Sequence, residues 1–281
     1  MSSSSALSPK AAGLSISVVV YRPDIARLES TLKSVARACA PLLAASADLP
    51  VVLYMIDNGG LGDVEKLIGM LNEWGVRCKL ISGHGNVGYG RGHNLAINLT
   101  GCRYHLVLNP DIDLDPTALA TACAFLDHHP DTGLLAPYIA DDAGCIQYLC
   151  RRYPALFDLI VRGFMPAKWK AQFDVRLAQY EMRDRITDRN VVWDPPIVSG
   201  CFMLFRTEVL KKLGGFDPRY FLYFEDYDLS LRTHDVARVA YVPSVRVIHH
   251  GGGASRKGFA HIRMFAASAF KFYNHFGWRL W

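Results

Sequence analysis

Four short apolar runs alternating with helical periodicity constrain the first half of this chain more than any other feature. Residues 15–21 are β-branched and read as a buried first strand, and residues 51–56, 78–81 and 104–108 read as three more. Pro23-Asp24 opens an intervening helix with apolar residues at Ile25, Leu28, Leu32 and Val35. A second helix carries Val64, Leu67, Ile68 and Leu71 and ends near Gly75. Residues 83–92 read as a glycine-rich loop running into a helix from His93. Strands and helices in strict alternation predict an α/β fold with a parallel, doubly wound sheet. Ligands bind such sheets at the C-terminal edge of the strands.

Several polar groups fall at that edge. The run at 104–108 ends in Asn109-Pro110-Asp111-Ile112-Asp113. Two carboxylates one residue apart suit Mg²⁺ or Mn²⁺, and such an ion usually also holds substrate phosphates. The alternative is an Asp-rich surface loop. Asp57, at the end of the second strand, suits a base or ribose, and equally suits the turn Asp57-Asn58-Gly59-Gly60. The loop from Gly85 to Gly92 would let backbone approach a diphosphate before a helix N-terminus. It matches neither the dinucleotide fingerprint nor a P-loop, and a plain flexible loop is the alternative.

The second half has another rhythm. Residues 151–190 interleave basic and aromatic side chains, Pro195-Pro196 breaks that stretch, and residues 197–205 read as a strand. Thr207 is expected to cap a short helix that stops at Gly214-Gly215. Phe224-Glu225-Asp226-Tyr227-Asp228 packs three carboxylates beside aromatics. Crowding and burial raise a carboxyl pKa, which prepares a general base. An acidic helix start and an ordinary Asp228–Arg232 pair are the structural alternatives. Strands are expected at 237–242 and 245–248, followed by His249-His250 and three glycines. One imidazole would complete a divalent-metal site with the Asp-x-Asp carboxylates; a surface turn is the alternative.

Composition bounds the rest. With 51% hydrophobic and 20% charged residues in 281, the chain is globular, with ample core. Its net charge of +5 hints at an anionic partner but falls short of the clustering a nucleic-acid binder needs. Seven cysteines without a Cys-x-x-Cys pair read as reduced small hydrophobes, which predicts a cytoplasmic protein. No apolar run reaches the ~20 residues of a membrane span. Residues 1–13 read as a disordered tail and residues 14–281 as a single domain.

The motifs "VVVYRPD", "IDNGG", "GNVGYGRGHN", "LNPDIDL", "SGCFMLFRTEVLKKLGGFDPRYFLYFEDYDLSLR" and "VIHHGGGAS" occur in order. Together they resemble the family 2 inverting glycosyltransferases of GT-A fold, most of all the bacterial rhamnosyltransferase branch that builds O-antigen, core or cell-wall polysaccharide. That resemblance implies a nucleotide-sugar-binding half at 14–115 and an acceptor and catalytic half at 116–255, with an insert at 151–192. It implies dTDP-β-L-rhamnose as donor, with Tyr21, Asp57, Asn86, Gly88, Tyr89, Asn94, Asn109 and Asp111 around it. Arg22 stands where the family usually has Asn, and would reach a phosphate. Asp111, Asp113 and His249 would hold Mg²⁺ or Mn²⁺. Asp226 matches the family's base, and Glu225 would hold the acceptor or position that base. Ser199, Gly200 and Asp217 match the acceptor-side framework. The acceptor would be a saccharide, free or linked to a polyprenyl diphosphate. Other sugar specificities share these motifs. A nucleotidyltransferase would need a glycine-rich loop where this chain has "YRPDIARLES". A non-catalytic carbohydrate-binding scaffold sits poorly with the intact acidic motifs.

Phe259, Ile262, Phe265, Ala269, Phe272, Tyr273 and Phe276 recur at helical spacing, flanked by Arg256, Lys257, Arg263, Lys271 and Arg279. Such a helix over residues 256–281 suits an anionic membrane surface near a lipid-linked acceptor. Packing on the core or in a homodimer is the alternative.

Overall fold

The structure, a computed structural model, describes residues 12–46, 48–251 and 258–281. Most of the expected tail lies outside the described residues, as do residues 252–257, which include Arg256 and Lys257. Strands β1 (Leu14–Val20), β2 (Val51–Asp57), β3 (Arg77–Ile81) and β4 (Tyr104–Leu108) pair in parallel in the order β3-β2-β1-β4. Every residue of β1 and β4 is buried, as expected of parallel strands covered on both faces. Helices α1 (Ile25–Ala45), α2 (Glu65–Glu73) and α3 (Tyr89–Leu99) make the crossovers. Asp24 caps α1 by accepting the Arg27 N–H at 3.1 Å, and Leu28, Leu32, Val35 and Cys39 face the core.

Beyond β4 the sheet changes direction. Strand β5 (Ile112–Leu114) leads to α4 (Ala118–His128) and β6 (Thr132–Ala140); β7 (Val192–Trp193), β8 (Phe202–Arg206) and β9 (Arg238–His249) complete it. β8 lies antiparallel between β4 and β6, β6 runs parallel to β9, and β5 and β7 pair antiparallel with β9. This mixed sheet, nine-stranded among the described residues, brings the acidic motif alongside the end of β9: Ile112 pairs with His249.

Several expectations need correction. β6 had no counterpart in the sequence reading. The two strands at 237–242 and 245–248 are one, β9. Thr207 begins α8 (Thr207–Lys212) without capping it. Helix α3 starts at Tyr89, not His93, so Gly90 and Gly92 lie inside its first turn. There a Cβ would come within 2.8 Å of Phe216 and of Val19 respectively.

A buried polar chain runs along β1. The His105 imidazole meets Ser15 Oγ at 2.8 Å and Ser17 Oγ at 2.9 Å, and Ser17 meets His93 Nδ1 at 2.7 Å. Burial and then Lys211 push His105 down to about 3, so it is neutral. The two serines of β1 thereby keep partners in an otherwise apolar layer.

Helices α5 (Leu156–Phe164), α6 (Ala167–Lys170) and α7 (Asp174–Tyr180), with a 3₁₀ turn at Ala171–Phe173, form the insert. The acidic cluster opens α9 (Glu225–Thr233), and α10 (Phe259–Phe276) packs across both. Ala269, Phe272 and Tyr273 are buried in a cluster with Leu159, Tyr180, Phe224 and Tyr227, and Phe265 and Phe276 pack against it. The aromatic stripe of α10 is thus core from Phe265 onward. Phe259 and Ile262 stay exposed. Among the described residues no helix is long and apolar enough to cross a membrane.

Candidate active site

The ends of β1 and β2 wrap each other at the ligand edge. The Arg22 N–H donates to the Gly59 carbonyl at 2.8 Å from a left-handed backbone with φ 47°. Its guanidinium lies 5.3 Å from the exposed Tyr21 ring. Asp57 Oδ1 accepts the Gly59 N–H at 2.7 Å, so the turn role is real. Asn58, buried beside it, donates to the Gly88 carbonyl at 3.0 Å and bonds His84 Nε2 at 3.0 Å. Asn86 Oδ1 accepts the Gly88 N–H at 3.0 Å. Gly88 has φ +90°, and a Cβ there would sit 2.2 Å from the Phe221 carbonyl oxygen, so only glycine fits. Tyr89 donates its N–H to that same oxygen at 3.0 Å. The start of α3 is therefore tied to protein. Asn94 is spent too: it clamps the Phe216 backbone through bonds of 2.7 and 2.9 Å.

Asp111 and His249 converge where β5 meets β9. His249 Nε2 lies 3.6 Å from Asp111 Oδ1, which is buried without a hydrogen-bond partner among the described residues. Gln147 fixes that imidazole. Its Nε2 donates to the His249 carbonyl at 3.0 Å, leaving Oε1 to accept from His249 Nδ1–H at 2.9 Å. Nε2 then presents a lone pair towards a carboxylate, an arrangement that calls for a proton or a cation between them. Burial pushes the Asp111 carboxyl up, but His249, its own backbone and Asn109 outweigh burial and hold it below the usual range. Asp113 belongs to a separate group. Its Oδ2 accepts from Ser30 Oγ at 2.9 Å and lies 3.1 Å from His250 Nε2. His250 also bonds Asp142. Among the described residues no three His, Cys, Asp or Glu side chains gather into one metal-holding group. The carboxylate and imidazole of the Asp111–His249 pair are donor types that suit a divalent ion such as Mg²⁺ or Mn²⁺.

The second carboxylate group is more strained. Tyr223 and Phe224 both take left-handed backbone, φ 72° and 67°, immediately before α9. Each such residue costs about 1–3 kcal/mol and persists only where the surroundings enforce it. The kink delivers Glu225 and Asp226 into the first turn of α9. Asp226 Oδ2 accepts the Gly200 N–H at 2.9 Å and Oδ1 accepts the Tyr227 N–H at 3.0 Å. The Gly200 carbonyl accepts from the Tyr89 hydroxyl at 2.7 Å, and Ser199 Oγ accepts the Cys201 N–H at 3.4 Å. The Cys201 carbonyl accepts the Asn109 N–H at 2.9 Å. The Gly200-Cys201 backbone thus spans from Asp226 to a residue two places before Asp111. Asp217 is engaged elsewhere, accepting the Arg219 N–H at 2.8 Å and pairing with its guanidinium. Asp228 and Arg232 form the expected pair at 2.6 Å, fully buried at the carboxylate.

Burial, and next the charge of Asp226, push the Glu225 carboxyl up. Its Oε2 has no hydrogen-bond partner among the described residues. Burial raises Asp226 as well, partly offset by the Gly200 N–H, the Arg151 charge and the Tyr227 N–H. A folded-state value above the unfolded ~4.3 means that Glu225 favours folding while protonated and loses that contribution as pH rises through its folded value. Glu225→Gln should therefore match the parent near pH 4 and exceed it at pH 8 by about 1 kcal/mol or more in urea unfolding. Equal stability of the two proteins at pH 8 would show that Glu225 bears no buried-charge penalty.

A family model described as Glycosyltransferase like family 2 matches residues 14–271. The chain belongs to that family. It is 28% identical over 255 residues to the N-acetylglucosaminyl-diphospho-decaprenol L-rhamnosyltransferase of Mycobacterium tuberculosis (strain CDC 1551 / Oshkosh), covering 84% of this chain and 79% of that protein. It is 30% identical over 189 residues to rhamnosyltransferase WbbL of Escherichia coli (strain K12), covering 64% and 67%. GalNAc-T7 solved with UDP, GalNAc and Mn²⁺ superposes with a TM-score of 0.60 at 15% identity, over 85% of this chain and 43% of that one. Mannosyltransferase PcManGT from Pyrobaculum calidifontis, solved with GDP-Man and Mn²⁺, superposes at 0.56 and 16% identity, over 90% and 60%. The chain thus spans roughly half the length of these solved proteins, and the likeness to them is one of fold, GT-A.

Within this glycosyltransferase family member, three supporting groups escaped the sequence reading. Gln147 lies far along the chain from His249 and carries no motif. Asn58 was visible only as part of a turn. Arg151 is buried, donates to the Tyr227 hydroxyl, and lies 5.8 and 5.9 Å from the Tyr227 and Tyr180 ring centroids. The two tyrosine hydroxyls meet at 2.8 Å. This buried cation holds Asp226 down against its burial. Arg151→Met should move the acid limb of the kcat/KM profile to higher pH, whereas Tyr227→Phe, which keeps the cation, should leave the limb in place. Identical limbs in parent and Arg151→Met would remove Arg151 from this role.

Proposed function

We propose that this chain is an inverting rhamnosyltransferase that moves L-rhamnose from dTDP-β-L-rhamnose to a hydroxyl of a lipid-linked saccharide in cell-surface polysaccharide synthesis. The observation that carries the reading is the Gly200-Cys201 bridge, which sets a desolvated carboxylate, Asp226, beside the edge bearing Asp111 and His249. The names of both curated relatives support rhamnose as the sugar, and the mycobacterial one supports a diphosphate-lipid acceptor.

Asp226 takes the proton from the acceptor hydroxyl. That oxygen attacks the anomeric carbon as the bond to the diphosphate breaks, and one displacement turns a β-linked donor into an α-L-rhamnoside. Gly200 aims the Asp226 carboxylate, and Glu225 sets its charge and holds the acceptor. Tyr21 offers a face for the nucleobase beside Asp57, and Arg22 a cation for a phosphate. Asp111 and His249 would hold Mg²⁺ or Mn²⁺, and such an ion when bound supplies positive charge against the departing diphosphate. The work is done at the cytoplasmic side of a membrane, with peripheral contact.

Purified protein mixed with dTDP-rhamnose and a panel of UDP- and GDP-sugars, with Mn²⁺ or Mg²⁺ and with EDTA, tests this through thermal shift and slow donor hydrolysis. The expected result is stabilisation and hydrolysis confined to dTDP-rhamnose and abolished by EDTA. A response to a UDP-sugar instead would keep the transferase and reject rhamnose. No response from folded protein to any donor would reject the enzyme and favour a carbohydrate-binding scaffold.

A further inference from the structure

The outer side of α10 and the segment at 277–281 form a surface unlike the buried stripe. Phe270 is 59% exposed, Trp278 50%, Leu280 58% and Trp281 70%. These side chains are held in place. The Leu156 N–H donates to the Arg279 carbonyl at 2.8 Å and the Phe157 N–H to the Leu280 carbonyl at 3.2 Å, which straps the segment onto α5. Trp281 stacks on Phe157 at 4.5 Å, Trp278 stacks on Tyr273 at 5.1 Å, and Phe270 meets Trp278 edge-on at 5.8 Å. Single exposed apolar residues are ordinary, but a fixed group of them marks a contact surface.

Charge says which contact. Residues 259–281 contain Arg263, Lys271 and Arg279 and no acidic residue. With residues 156–180 they carry a net +5, as much as the whole chain, so the rest of the sequence is balanced. The Arg176 guanidinium lies 5.6 Å from the Trp281 ring centroid, beside the strap. Tryptophan and phenylalanine flanked by arginine and lysine match the interfacial layer of a bilayer with anionic headgroups. We infer that this face docks on an anionic lipid surface, with Phe270, Trp278, Leu280 and Trp281 entering the interface.

The placement has a mechanistic consequence. On the other side of α10, Phe272 packs 5.1 Å from Phe224, the residue before Glu225. The docking face and the turn that carries the carboxylates are thus joined through one helix, which suits an acceptor sugar carried on a lipid diphosphate. This purpose rests on the lipid-linked acceptor proposed above, but the docking is measured without turnover.

The test is co-sedimentation of the full chain with vesicles of phosphatidylcholine containing about one-third phosphatidylglycerol, against pure phosphatidylcholine and against high salt. Binding is expected only to the anionic vesicles, and salt should weaken it. Arg279→Gln should weaken it about fivefold, the share of one basic residue near such a surface. The double variant Phe270→Ser/Leu280→Ser should weaken it about tenfold, with near-UV circular dichroism and donor hydrolysis unchanged. Equal binding to both vesicle types, no binding, or variants that bind like the parent would each overturn the inference. So would a concentration-dependent dimer that these variants dissociate, because a second copy would then cover the face. Vesicle binding without donor hydrolysis would keep the surface and reject the transferase reading; the reverse result would do the opposite.

Discussion

Asp226→Asn lowers glycosyl transfer by about a thousandfold or more, at the upper part of the range for loss of a general base, with the fold kept. The substitution is nearly isosteric, and its carbonyl oxygen can still accept the Gly200 N–H that now reaches Oδ2 at 2.9 Å. What disappears is a basic oxygen and, with it, the bond from the Tyr227 N–H to Oδ1. Burial lifts the Asp226 carboxyl above its ordinary value, so in the parent the rate should rise with pH as Asp226 ionises. In Asp226→Asn that acid limb vanishes along with the activity. Donor-induced thermal stabilisation should survive, because the proposed donor-side residues Asp111 and His249 are untouched. A variant with parental rate would place the base elsewhere, Glu225 being next in line.

Gly251→Ala is the second large effect. A Cβ at Gly251 would lie 2.1 Å from Asp111 Oδ2 and 2.7 Å from His249 Nε2, separations that no real side chain adopts. Asp111, His249 or the backbone after β9 must therefore shift. Misplacement of about 1 Å at a reacting centre costs about a hundredfold in rate. A hundredfold loss in kcat/KM and loss of metal-dependent donor stabilisation are expected, matching Asp111→Asn, while the melting temperature without donor stays near the parent's. Unchanged donor stabilisation in Gly251→Ala would dissociate the Asp111–His249 pair from donor binding.

The sequence disclosed the parallel half of the sheet because β1, β2 and β4 are short, mostly apolar runs and α1 has a clear cap and spacing. Where the sheet turned antiparallel the signal faded. β6 is buried at all but Tyr138, but Gly133 and Pro137 interrupt it, and its partners β8 and β9 are distant in sequence. The glycine-rich motif misled on the start of α3, because Gly90 and Gly92 serve close packing inside a helix, where local reading expects loop. Asp111, His249, Glu225 and Asp226 were legible because short motifs carry them. The groups that orient them were not. Gln147, Arg151 and the left-handed Tyr223-Phe224 kink act through tertiary contacts that no local spacing encodes. The aromatic spacing in α10 was read correctly as one face, but spacing alone does not say whether such a face meets core or lipid.

The most direct test is the stereochemistry of one turnover. Protein supplied with dTDP-β-L-rhamnose and an N-acetylglucosaminyl-diphosphate lipid should yield a rhamnoside whose anomeric configuration is read by NMR. The expected product is an α-L-rhamnoside, formed by the parent and lost in Asp226→Asn. A β-linked product, or an α-linked product formed equally fast by Asp226→Asn, would contradict single displacement with Asp226 as base.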